Sequence, residues 1–177
     1  MRMRLLFGVG CLISTLFISI TAKAENFYLS QDVVELADKY ATDDIPSELI
    51  QAVIWAESRG KPEATNGLNH GLMQLHEWYF TGDLYEPDNN VKQGAAYLQG
   101  LYDTYNHLPT ILMVYHGESN AVSKGKSGNY SGYAQGIITM ASEIEENRKC
   151  IASCGNVTEE SENASTWKPE KYSTLTE

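Results

Sequence analysis

Cysteine is scarce, with three in 177 residues. A fold of this size therefore cannot lean on a dense disulfide framework. It must bury a hydrophobic core, and the chain is long enough for one domain with a sizeable one. Positive charge is also short: 13 Lys and Arg stand against 23 Asp and Glu, a formal net charge of -10. Phosphate neutralisation needs a basic surface, so the balance argues against nucleic acid as a partner and against electrostatic docking on anionic lipid. It leaves open a glycan, which is bound by hydrogen bonds and stacking. The four histidines, His70, His76, His107 and His116, lack metal-ligand spacing, and His76-Glu77 lacks the second His of the H-E-x-x-H motif. No metal site and no cofactor are expected. Internal repeats and alternating strand patterns are missing too.

The one long apolar run is at the start. Arg2 and Arg4 precede an almost wholly apolar Leu5 to Ile20, and Ala22-Lys23-Ala24 follows. A basic start, a short apolar stretch and a small-x-small site describe a secretory signal peptide over residues 1–24. A retained membrane anchor is the rival reading, but the run is short for a span. Gly8-Val9-Gly10 before Cys11 matches a lipoprotein signal poorly. Loss of Arg2, Arg4 and Lys23 with the leader would take the net charge from -10 to near -13. Cys150 and Cys154 would remain, and their spacing in an exported chain suggests a disulfide closing a small loop.

Periodicity predicts helices. Val33, Val34, Leu36, Ala37 and Tyr40 mark one over about 30–41. Pro46 suits the first turn of a second, which carries Leu49, Ile50, Val53, Ile54 and Ala56 and is apolar on most sides, as a buried helix is. Ser58-Arg59-Gly60-Lys61-Pro62 stops it. Residues 61–71 read as loop, and a short helical piece is expected over Leu72 to Trp78. A small hairpin also fits inside 61–85. Helices follow over 91–105, from Pro109 to Tyr115, and over 132–148, with Gly117 to Gly132 mostly loop. The expected fold is a mainly α domain spanning 25–148. After it come a disulfide loop and a polar, disordered tail over 149–177. Three Asn-x-Ser/Thr sequons, at Asn129, Asn156 and Asn163, matter only in a host that glycosylates exported chains.

Glu57 stands at the end of the apolar helix, facing a loop rich in Asn and Gly. Burial disfavours ionisation of a carboxyl group and raises its pKa, which suits a general acid near neutral pH. The plain alternative is a helix-end Glu paired with Arg59.

The neighbouring words bear on that choice. Trp55-Ala56-Glu57-Ser58-Arg59 is followed by Pro62, Ala64 and Gly71-Leu72-Met73-Gln74-Leu75. Pro87-Asp88-Asn89-Asn90-Val91 comes next, then Gly94-Ala95-Ala96-Tyr97-Leu98, Val114-Tyr115-His116-Gly117 and Tyr133-Ala134. In this order and spacing they resemble the soluble lytic transglycosylase (SLT) catalytic domain over roughly residues 45–145. The resemblance implies a lysozyme-like fold with a substrate groove, and lytic cleavage of peptidoglycan glycan strands. Glu57 matches the catalytic acid and base. Met73 and Gln74 match groove-lining residues, and Tyr115 and Tyr133 match aromatics near the carboxyl. Ser58 follows the acid as in the family. Asn66 or Thr65 stands where a Ser is common, and His116 replaces the Asn of an Ala-Tyr-Asn motif. Asn90 and Tyr97 match positions that cap and pack a helix.

The resemblance implies a one-carboxylate scheme, whereas many glycosidases place a second acid across the scissile bond. Position 74 is Gln, and Asp83 is the best candidate for a hidden partner. Three readings stay open: a lytic transglycosylase, a hydrolytic muramidase, and a catalytically weak wall-binding part of a secretion or conjugation machine. The compartment expected is the periplasm or cell envelope, with an envelope or secretion complex as a candidate partner.

Overall fold

The helix that ends at Glu57 is the spine of the molecule. In the computed structural model, which describes residues 27–154, α1 spans Gln31–Tyr40 and α2 spans Ser47–Ser58. Leu49, Ile50, Ala52, Val53 and Ile54 of α2 are fully buried. Each large aliphatic among them contributes about 2 kcal/mol of transfer free energy, which is why a helix apolar all round belongs inside. It packs on α1 and, most extensively, on the last helix, α6 (Gly132–Cys154). Between them lie α3 (Pro87–Tyr105), α4 (Leu108–Tyr115) and α5 (Ala121–Lys126). Helix α3 packs on α1 and α4, and α4 packs on α5 and α6. The mainly α, lysozyme-like architecture expected from the sequence is what the structure shows.

A small sheet fills the gap between α2 and α3. Its strands are β1 (Thr65–Asn66), β2 (Asn69–His70) and β3 (Leu75–His76), antiparallel in the order β1-β2-β3. Thr65 faces His70, and His70 faces Leu75. The short helix expected over Leu72 to Trp78 is not formed. Gly71 at φ 79° and Gln74 at φ 49° put two left-handed residues into that stretch, and the chain turns into β3 instead. A side chain at Gly71 would also collide with Leu84 O and the Asn90 amide.

The start of α3 lies four residues before the expected Val91. Glu86, not Asn90, is its cap: the Glu86 carboxylate accepts from Asp88 N at 3.1 Å and Asn89 N at 2.6 Å, with Pro87 in the first turn. Asn90 is instead buried inside the helix. It accepts from Met73 N at 2.8 Å and donates to His70 O and Leu84 O at 2.9 and 2.8 Å. One amide thus pins the sheet, the turn after it and the approach to α3. Helix α5 interrupts the stretch read as loop from 117 to 132.

Helix α6 continues past Arg148 to Cys154, where a loop was expected. Cys150 carries a free, exposed thiol, and the side chain of Cys154, the other half of the expected disulfide, lies outside the described residues. Residues four apart on a helix hold their Cβ atoms about 5–6 Å apart, wider than the roughly 3.5–4.5 Å a disulfide needs. Arg148 ties α6 to both earlier helices, reaching Asp38 at 2.7 and 2.9 Å and Glu48 at 2.6 Å. The leader over 1–24 and the tail after Cys154 lie outside the described residues.

Candidate active site

Glu57 is placed by the end of α2. Arg59 adopts the left-handed conformation (φ 57°) that closes the helix, and its backbone N–H donates to Trp55 O. The Arg59 guanidinium also donates to Trp55 O at 3.2 Å and lies over the Trp55 ring, so the pairing of Glu57 with Arg59 considered from sequence is replaced by these contacts. The Glu57 side chain is 16% exposed. Its Oε1 accepts a short hydrogen bond from the Tyr133 hydroxyl on α6. His116, at the end of α4, brings Nδ1 to 3.9 Å from the same oxygen. Its ring stacks on Tyr133 with centroids 3.8 Å apart and planes 15° apart. Three helices therefore converge on one carboxylate.

Burial raises the Glu57 pKa above the usual carboxylate value, and the Tyr133 hydrogen bond and the His116 charge oppose the rise. Burial also raises the Tyr133 pKa strongly, helped by the Glu57 charge, so the phenol keeps its proton and remains a donor. The same causes hold Tyr115 well above the ordinary phenol range. The arrangement is a carboxyl group that holds a proton more tightly than usual while its conjugate base has a ready donor. Both states that an acid and base catalyst must visit are thereby provided for.

The other sequence candidates divide. Tyr115 donates to Met73 O at 2.8 Å and stacks near Tyr97. It joins α4 to the turn after β2. Met73 itself is fully buried, with its thioether against Gly94 of α3, so it offers the site its backbone rather than its side chain. The Gln74 amide donates to Ala64 O and Gly71 O, both at 3.0 Å, and so braces the turn. Ser58 is buried; its hydroxyl donates to Ile54 O at 3.0 Å and accepts from Gly60 N at 3.2 Å, which makes it part of the helix stop. Asn66 is exposed on β1 and Thr65 binds His70 Nδ1 at 3.1 Å. Asp83 is exposed and accepts from Tyr85 N at 2.9 Å, a turn device before α3. His70 contacts Tyr85 OH at 2.9 Å and Glu77 at 3.0 Å. Trp78 and Tyr79 lie exposed against His76.

Glu118 was passed over in the sequence because it falls in the Gly- and Ser-rich stretch. Ser131 and Lys124, the latter at 3.1 Å, hold its carboxyl below the usual range, with a smaller contribution from the His116 charge, and its own charge helps to raise Tyr133. An acid two residues beyond the His of the Tyr-His-Gly motif was the available signal. Among the described residues, no group of three or more His, Cys, Asp or Glu side chains is arranged to hold a metal ion.

A mainly α domain with one part-buried carboxyl held by a tyrosine defines a class that comparison with known proteins names. Residues 36–138 match the family model described as the transglycosylase SLT domain. The chain belongs to the transglycosylase SLT domain family. It is also similar to a protein named "Transglycosylase" from Enterobacteria phage PRD1, 34% identical over 103 residues, a stretch that covers 55% of this chain and 39% of the phage protein. The similarity thus spans well under half the length of that relative. No solved structure matches the chain.

Proposed function

We propose that the protein is a peptidoglycan lytic transglycosylase with Glu57 as its general acid and base. The observation that carries this reading is the Glu57 carboxyl itself, shielded at the end of α2, bound by Tyr133, and lying in a domain of the SLT family. The substrate class follows from the family, and the acidic composition leaves a glycan open while it argues against nucleic acid.

In this scheme protonated Glu57 gives its proton to the bridging oxygen of the β-1,4 bond between N-acetylmuramic acid and N-acetylglucosamine. The bond from C1 to that oxygen breaks, and the substrate's N-acetyl oxygen stabilises the cationic C1. Ionised Glu57, held by the Tyr133 phenol, then removes the proton of the 6-hydroxyl, whose oxygen bonds to C1. The product ends in 1,6-anhydro-N-acetylmuramic acid. No water is consumed, and the carboxyl returns to its starting state. Asp83, engaged in its turn, is not assigned a part.

The test is incubation of the purified full chain with murein sacculi, followed by mass analysis of the products. Anhydro ends, lighter than reducing ends by one water, are expected. Reducing ends would make the enzyme a hydrolytic muramidase. No soluble product would favour the wall-binding role. An exported location, in the periplasm or envelope, belongs to the same proposal. Among the described residues no helix is long and apolar enough to cross a membrane.

A further inference from the structure

His116 is one of the points at which this chain departs from the pattern it resembles, and it is built into the site on three sides. Its backbone closes α4, with its N–H donating to Leu112 O. One ring face covers Tyr133 of α6, and Nδ1 points toward Oε1 of Glu57 on α2. Around it stand Tyr115 from α4, Glu57 from α2, Tyr133 from α6, and Glu118, whose own partners are Lys124 of α5 and Ser131. The imidazole therefore sits within the fields of two carboxylates. At Glu57 burial outweighs its hydrogen bond and the nearby charge, whereas at Glu118 the Ser131 and Lys124 bonds outweigh burial and hold the carboxyl below the usual range.

We propose that His116 is a positioning residue for Glu57: its ring holds the Tyr133 phenol against the carboxylate, and its cation, when formed, favours ionised Glu57. This rests on the acid and base role given to Glu57 above. An asparagine at this position cannot supply a cation at any pH. The cation of a histidine lowers the pKa that burial raises in the Glu57 carboxyl. A charged His116 thus opposes the protonation of Glu57 that the acid step needs. The working range of the enzyme is moved toward lower pH than an uncharged neighbour would set.

The stack contributes separately. Tyr133 reaches Glu57 across the gap between α6 and α2, and a ring lying flat against it restricts the phenol to the orientation that donates. His116→Gln removes the charge while leaving a planar polar group. His116→Phe keeps an aromatic face, and His116→Ala removes both. The first readout needs no turnover: the Glu57 carboxyl is followed by 13C NMR during a pH titration of the full chain. A Glu57 midpoint that moves up by about half to one pH unit in His116→Gln relative to the wild type is expected. An unmoved midpoint would overturn the charge role. The second readout is the release of anhydro ends from sacculi. His116→Ala should lower kcat by about 3- to 10-fold with little change in KM, His116→Phe by less, and His116→Ala should have little further effect in a Tyr133→Phe background. Independent, multiplying effects of the two substitutions would overturn the positioning role. If the wild type releases no anhydro ends while the titration behaves as described, the glycan reading fails and the coupling of His116 to Glu57 stands.

Discussion

Glu57 does its work by being uncomfortable. Its pKa is raised because the folded state disfavours the charged form. Two consequences follow with definite sign. The acid step uses the protonated carboxyl, so the rate should fall as pH rises through the Glu57 pKa, with that limb lying above the ordinary glutamate value; a pH profile of anhydro-product release reads it directly. The stability linkage runs the same way. A carboxyl whose folded pKa is raised is best tolerated below its unfolded pKa, and stability is lost as pH rises through the folded pKa. Glu57→Gln should therefore cost about 100- to 10,000-fold in activity and still raise the Tm at pH 7 by about 2–4 °C, with little gain at pH 4. Calorimetry at the two pH values checks this. A destabilised Gln variant would mean that the carboxylate is stabilised, not strained, by its surroundings. The shielded place of Glu57 was legible in sequence because an acid at the end of an apolar helix is anomalous. The hydrogen bond from Tyr133 spans 76 positions, and no local pattern could announce it beyond the family likeness.

Among the elements, the four longer helices were legible from periodicity and stop signals, whereas the segment from Gly71 to Trp78 was not. There the backbone is set by two left-handed residues, and the second is Gln74, a residue type with no special liking for that conformation. What stabilises it is tertiary: the Gln74 amide on two carbonyls, and Asn90 on Met73, His70 and Leu84. A propensity argument sees neither. Asn90 was read as a cap because it stands near a helix start, yet its partners are 6 to 20 residues away. Its loss would leave a buried N–H and two carbonyls without their donor or acceptor. Asn90→Ala should lower unfolding stability by about 2–4 kcal/mol, measured by denaturant titration. Asn90→Asp, which keeps the acceptor and loses both donations, should not rescue it. Cys150 teaches a related lesson: spacing in sequence suggested a loop after Arg148, and the helix runs on to Cys154.

At the scale of the whole molecule, α6 closes the domain. It carries Tyr133 at one end and Arg148 toward the other, and Arg148 joins Asp38 of α1 and Glu48 of α2. Glu48 is largely buried, so removing its partner strands a charge. Arg148→Ala should destabilise the fold by about 1–2 kcal/mol, the discount reflecting a partly exposed arginine. Pairing with Ala at position 48 should restore most of the loss, and thermal unfolding of the single and double variants measures it. Composition predicted the net acidity correctly and said nothing of such clamps, since which acids meet which cations is a property of the packed helices alone.

The tight seat of Met73 against Gly94 carries a consequence for how the enzyme tolerates change. A methyl group at position 94 would strike the thioether. The displaced backbone of Met73 would take with it the carbonyl that anchors the Tyr115 hydroxyl. An alteration on a remote helix, chemically the mildest available, would thus be transmitted through sulfur and peptide to the neighbourhood of the acid. A glycine that touches no part of the site is thereby tied to its geometry.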